Sequence, residues 1–236
     1  MRIAVIGAGA MAEALATGWI RAGHEIFIGA RSLERATALA QRLGAATCGG
    51  GLREAAAFGG VTLLAVPGQA ATQALDLAGA GDGALAGQVL IDCGNAFTPD
   101  AFAAPPDSFA LTMDALAEQV ARVAVGARVV KAFSMLAAEV WAGGSQSFDG
   151  QLLHVPLCGD DPDAVAVVAG LVSDMDLQAV FAGGLHRARY LEAMTAFVMG
   201  LWFAGHDARA TLPPLAAAFA VDDEEALIPA DMDGAR

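Results

Sequence analysis

The chain has 236 residues, of which 56% are hydrophobic and 17% charged, and its formal net charge is −13. That length holds one large domain, or one domain with a small appendage, and the low charged fraction argues against disorder. The acidic balance argues against a nucleic-acid partner, and the absence of about eighteen uninterrupted apolar residues argues against a membrane span.

The predicted elements start with a short apolar run, residues 2–6 (RIAVI), fit for a buried strand. It leads directly into Gly7-Ala8-Gly9-Ala10-Met11-Ala12 and a helical pattern through Leu15 and Trp19. A second apolar run, 25–28, ends at Gly29-Ala30-Arg31-Ser32. Strand, glycine turn, helix and strand make half of a mononucleotide-binding unit. Gly7 permits a tight turn, Gly9 lets the backbone approach a pyrophosphate, and Ala12 allows close helix–strand packing. The free N–H groups at the helix start then face the phosphates, together with Ala10 and Met11. The position of this GxGxxA string between a strand and a helix supports a dinucleotide site.

The end of the second strand selects the dinucleotide. An NAD site places Asp or Glu there for the ribose 2′-hydroxyl, whereas an NADP site accommodates a 2′-phosphate with Arg. No acid occurs from Gly29 to Ser32. Ala30, Arg31, Ser32 and Arg35 form the expected 2′-phosphate segment, so the predicted cofactor is NADP(H).

Ser32 is the expected cap of a helix reaching Leu43, with Gly44 as its stop. A third strand over 45–48, a helix over 52–58 and a fourth strand over 61–66 follow. Pro67 ends that strand, so Ala65, Val66 and Pro67 lie at its carboxyl end. A helix over 69–77 precedes a fifth strand, 89–92, which leads into Cys93-Gly94-Asn95. The apolar runs are continuous and alternate with helices, which predicts a Rossmann-like, doubly wound, mostly parallel sheet covered on both faces. Ligands bind beyond the carboxyl ends of such strands. Asn95 is therefore either a nicotinamide contact or a plain turn residue.

Residues 98–108 read as a Pro-rich loop, 114–125 as a helix and 128–132 as a sixth strand ending at Ala132. Phe133-Ser134-Met135-Leu136 follows at the same end of the sheet. A polar, glycine-rich loop or hairpin (143–150), a strand (152–158), a helix capped by Asp161 with Pro162 at its first position, a last strand (177–181) and a long helix (185–205) complete the pattern. The expected organisation is an NADP-binding domain over 1–125, a small C-terminal α/β lobe over 126–210 that completes the sheet and substrate pocket, and an acidic tail over 211–236.

Cys48, Cys93 and Cys158 are far apart and lack metal-ligand spacing. They read as buried thiols of a reducing compartment, and no metal site is expected. The N-terminus has no basic region followed by a long apolar stretch, which gives a cytoplasmic expectation. Lys131, the chain's only lysine, lies in an apolar strand and suits an ion pair or backbone contact more than catalysis. His154 reads as a satisfied core residue. His186, Arg187, Arg189 and Tyr190 suit either an anion site or a solvated face. Met194, Phe197, Met199, Trp202 and Phe203 recur at helical spacing and suit core or dimer interface more than a substrate wall.

Six segments carry a family resemblance: IGAGAM near Gly7, LLAVP ending at Pro67, VLIDCGN ending at Asn95, VVKAFS over 129–134, CGDDPDA from Cys158 and AGGLHRARYLEAM from Ala182. Through them, most of residues 1–206 resembles the coenzyme F420-dependent NADP oxidoreductase family. Related reductase domains occur in membrane ferric reductases. The string GAGAMAEAL also resembles pyrroline-5-carboxylate reductase, whose helical C-terminal domain of on the order of a hundred residues does not fit the compact α/β pattern here.

The resemblance implies hydride transfer between NADPH and a second ring system, the deazaflavin coenzyme F420; a homodimer is the expected assembly. It implies that the segments after Val66, Asn95 and Ala132 frame the nicotinamide. The small-molecule substrate would pack against Ser134, Met135, Leu136 and Ala137 and against the final helix, with Met199 and Trp202. Many relatives carry Asn or His at the position of Ser134, the catalytic candidate, so this chain loses a longer hydrogen-bonding group there. Two other readings stay open. One is an NADPH-dependent reductase of a small imine, alkene or carbonyl. That chemistry needs a proton donor from among Ser134, Lys131, His154, His186, Tyr190 and His206. The other is a non-catalytic NADPH-binding module, with Met135, Trp141 or Trp202 filling the pocket.

Overall fold

A computed structural model describes residues 1–212 other than 106, 144–146 and 149. The expected acidic tail lies outside the described residues apart from Thr211 and Leu212. The chain begins β1 (Arg2–Ile6), α1 (Ala10–Arg21), β2 (Glu25–Gly29), α2 (Leu33–Leu43) and β3 (Thr47–Gly50). It continues through α3 (Leu52–Ala56), β4 (Val61–Leu64), α4 (Ala71–Ala78), β5 (Val89–Asp92), α5 (Leu116–Val123) and β6 (Arg128–Lys131). The remainder is α6 (Ala138–Ala142), the small pair β7 (Ser147–Phe148) and β8 (Gln151–Leu152), then β9 (His154–Gly159), α7 (Pro162–Ser173), β10 (Gln178–Gly183) and α8 (Ala188–Phe203).

One eight-stranded sheet runs in the order β10-β9-β6-β5-β4-β1-β2-β3. The six strands from β6 to β3 are parallel, β9 joins β6 antiparallel, and β10 is parallel to β9. The fold is thus the mostly parallel, Rossmann-like α/β architecture. Alternate residues of each central strand enter separate cores. Ile3, Val5, Leu63 and Ile91 pack with α1, α2 and α7. Ile6, Leu64 and Leu90 pack with α4, α5 and the start of α8. Both faces are covered, which is why the central strands read as unbroken apolar runs.

Two sequence expectations change. His154 is exposed at the first position of β9, where the strand is only entering the sheet, and is not a core residue. Cys48 is exposed on edge strand β3, while Cys93 and Cys158 are buried. Helix α6, which has no sequence counterpart above, forms around Trp141. Its ring is buried against Phe133 at 5.5 Å, and its Nε1–H donates to the Leu136 carbonyl.

Candidate active site

The carboxyl ends of β1, β2 and β4 surround a cavity of about 600 Å³. Its floor is built by glycine. Gly7 has φ +129°, and a Cβ there would sit 2.1 Å from the Ala65 carbonyl oxygen. Only glycine lets the β1 turn lie against β4 in this way. Gly9 caps α1 with extended backbone and offers no side chain. A Cβ at Gly9 would meet nothing within 4 Å, so that position opens into space where a ligand can approach the backbone. The first N–H groups of α1, beginning at Ala10 and Met11, have no carbonyl partner within the helix and add a partial positive charge. This cradle fits a dinucleotide pyrophosphate.

Arg31, Ser32 and Arg35 line the same cavity. Arg31 Nη1 donates to Gln73 Oε1 at 3.1 Å, which steadies an otherwise exposed guanidinium. Ser32 Oγ caps α2 by accepting from the Arg35 N–H at 3.2 Å, and its own hydroxyl hydrogen stays available for a phosphate oxygen. Ala30 is held by its N–H to the Gly50 carbonyl at 3.2 Å. Ala65, Val66 and Pro67 form the wall toward β4. Leu52, Ala70 and Ala74 complete the lining. Sequence reading missed them and Gln73, because each sits in an ordinary helical pattern.

The other expected contacts, Asn95, Ala132 and Ser134 to Ala137, follow β5 and β6 and do not line this cavity. Asn95 Nδ2 donates to the Ser134 carbonyl at 2.7 Å. This bond leaves Asn95 Oδ1 and Ser134 Oγ buried without partners. Buried polar atoms in that state are uncommon and cost stability, so the pair is a candidate ligand contact. Ala132, an expected cofactor contact, is instead fully buried in the hydrophobic core. Phe133 adopts φ +59°, a left-handed conformation that a non-glycine residue rarely takes,. Its ring is fixed between Trp19 and Trp141 at 6.0 and 5.5 Å. Ser134, the next residue, is buried. Gly68 ties the β4 turn to this region, since a Cβ there would lie 2.4 Å from the Asn95 carbonyl oxygen.

Lys131 is fully buried and held by ions. Its Nζ donates to Asp92 Oδ2 at 2.9 Å, to Glu192 Oε1 at 2.8 Å and to the Gly94 carbonyl. Burial pulls its pKa down, but the two carboxylates outweigh that and the net direction is up. The Cys93 thiol is pushed up to about 12, by burial first and by Asp92 second. Glu192 drew no attention in the sequence because it is a single acid on a long helix.

The other candidates lie elsewhere. Met135 and Leu136 are half-buried and Ala137 is exposed. Met199 is half-buried and Trp202 exposed, and neither belongs to the cavity lining. The end of α8 instead sets Phe203 against Phe102 and Phe109. His186, Tyr190 and His206 are exposed. Arg189 is paired with Glu118. Among the described residues no group of three His, Cys, Asp or Glu side chains could hold a metal ion, and no helix is long and apolar enough to cross a membrane.

The sheet is of the Rossmann type, and its matches make the chain an NADP-dependent oxidoreductase. A family model described as NADP oxidoreductase coenzyme F420-dependent matches residues 2–96. The F420-dependent NADP reductase of Methanothermobacter thermautotrophicus is 31% identical over 212 residues, covering 85% of this chain and 89% of that protein. The chain belongs to the F420-dependent NADP oxidoreductase family. Metalloreductase STEAP3 of Rattus norvegicus is 26% identical over 202 residues, but this chain spans just 38% of its length. A solved structure from Arthrobacter sp. FB24, assigned as an F420-dependent NADP reductase, superposes with a TM-score of 0.75 at 27% identity over 86% of this chain and 95% of that one. The reductive aminase of Aspergillus terreus, solved with NADPH and ethyl levulinate, shares the fold, with a TM-score of 0.62 at 20% identity over 86% of this chain and 62% of that one.

Proposed function

We propose that this chain moves a hydride between NADPH and the deazaflavin coenzyme F420, with the two rings stacked over the ends of β5 and β6. The carrying observation is the chemistry of those strand ends. Their unpartnered polar atoms, Asn95 Oδ1 and Ser134 Oγ, are neutral groups that orient a ligand. Asp92 and Lys131 bind each other, and Cys93 keeps its proton at neutral pH. A deazaflavin ring needs no strong acid or base beside it, whereas an imine or carbonyl needs a proton donor within reach.

NADPH supplies the hydride chemistry, and the protein's share is binding, orientation and exclusion of water. In this reading the Gly7–Met11 turn takes the pyrophosphate, and Arg31, Ser32 and Arg35 take the 2′-phosphate. Ala65, Val66 and Pro67 wall the ribose. Asn95, Ala132 and Ser134 set the nicotinamide against Met135, Leu136 and Ala137. Held geometry of this kind removes about 7–11 kcal/mol of barrier. Exposed Tyr190, Met194 and Phe197 along α8 support a homodimer, and three free cysteines support a reducing, cytoplasmic setting.

The second reading, reduction of a small imine or carbonyl, is favoured by one feature: the Ser134 hydroxyl is buried and free to donate. Stopped-flow mixing of the protein with NADPH and either oxidised F420 or a cyclic imine separates the two. The deazaflavin reading expects rapid bleaching of F420. NADPH oxidation by the imine alone would replace it with the second.

A further inference from the structure

Lys131 joins four elements at one buried point. From β6 it reaches Asp92 at the end of β5, Glu192 on α8 and the Gly94 carbonyl just beyond β5. Glu192 accepts the main-chain N–H groups of Leu116 at 2.9 Å and Ala117 at 3.1 Å, at the start of α5. Asp92 Oδ1 accepts the Gly94 N–H at 2.9 Å. Gly94 is therefore clamped at both its amide and its carbonyl. The next residue, Asn95, bonds the Ser134 carbonyl, and these two residues carry the unpartnered atoms of the site.

Stability alone explains this arrangement poorly. Two carboxylates and one ammonium leave a net buried negative charge, offset by the α5 N-terminus. Burying such ions costs several kcal/mol each, and apolar side chains of similar volume often do as well or better. An apolar side chain, however, could not hold the Gly94 carbonyl in a fixed direction.

We propose that Lys131 and Glu192 are positioning residues: they fix Gly94, and through it Asn95 and Ser134, at the nicotinamide end of the cofactor site. This rests on the reading that the ring binds at the ends of β5 and β6. Neither residue touches the cofactor. Their effect is to hold Asn95 and Ser134 in place, and to couple that placement to the seating of α8 on α5.

Calorimetric titration of the whole protein with NADPH and with adenosine 2′,5′-bisphosphate, which lacks the nicotinamide half, tests this. Glu192→Gln should leave the bisphosphate Kd within about twofold and weaken NADPH about tenfold, the scale of one charge-assisted hydrogen bond. The combination Asp92→Asn, Lys131→Met, Glu192→Gln leaves no buried charge unpaired, and it should show the same split if the single variant does not fold. Equal weakening of both ligands would overturn the proposal. So would unchanged affinities with a lowered melting temperature, or equal wild-type affinities for the two ligands. Failure of the wild type to reduce F420 would overturn the proposed substrate while leaving this binding split to be read on its own.

Discussion

Asn95 and Ser134, 39 residues apart in sequence, are joined by a 2.7 Å hydrogen bond from the Asn95 amide to the Ser134 carbonyl. The bond uses the donor of one side chain and the main chain of the other residue, so both remaining side-chain oxygens stay free and buried. Ser134→Ala should therefore cost little stability, because it removes a buried hydroxyl that has no partner in the protein. It should weaken nicotinamide-end binding by about 0.5–1.5 kcal/mol, the worth of a neutral hydrogen bond. Asn95→Ala removes the cross-link as well and should lower the melting temperature. Thermal unfolding and NADPH titration of the two variants check this contrast.

Gly7 and Gly9 separate folding from binding. Alanine at Gly7 would place a methyl 2.1 Å from the Ala65 carbonyl oxygen at φ +129°, so Gly7→Ala should destabilise the fold by more than about 1 kcal/mol. Alanine at Gly9 meets no protein atom within 4 Å and φ is an ordinary −104°. Gly9→Ala should fold as well as the wild type and lose dinucleotide affinity. Equal melting losses in both would contradict the placement of the pyrophosphate.

Arg31→Ala should reduce affinity for NADPH by about tenfold or more and leave NADH nearly unchanged, since hydrogen bonds to charged groups are worth about 1.5–3 kcal/mol. Gln73→Ala, which frees the guanidinium from its 3.1 Å partner, should have a smaller effect in the same direction. Fluorescence titration with each dinucleotide measures both.

Stability should fall on the alkaline side. Cys93 is pushed up to about 12, Cys158 moves up through burial, and Lys131 is raised because its carboxylates outweigh burial. In each case the folded state keeps a proton that the unfolded chain releases first. The contribution is complete below the unfolded values, about 8.5 for Cys and 10.4 for Lys, and is lost as pH rises above them. Chemical denaturation from pH 7 to 10.5 should show a decline beginning near pH 9, shallower in Cys93→Ala. A thiol reagent at pH 8 should label exposed Cys48 well before Cys93 or Cys158.

Much of the fold could be read from residues because local and global signals agree in its first half. The β1 and β5 runs, the Ser32 cap and the Asp161-Pro162 helix start match the structure residue for residue. The antiparallel entry of β9 was not legible, because a continuous apolar run carries no direction. His154 looked like a core residue through its apolar neighbours, yet the strand becomes buried one residue later. The candidate site divides in the same way. Its phosphate end is written in one contiguous stretch. The clamp on Gly94 draws on Asp92, Lys131 and Glu192, which meet through tertiary packing alone.

In the proposed function, NADPH held near Asn95 and Ser134 exchanges hydride with a deazaflavin. Rapid mixing of the protein with NADPH stereospecifically deuterated at the nicotinamide C4, together with oxidised F420, tests it most directly. The expected result is loss of the deazaflavin absorbance, with deuterium recovered in the reduced ring from one face of the nicotinamide only. No bleaching at high protein concentration, with NADPH bound, would contradict it.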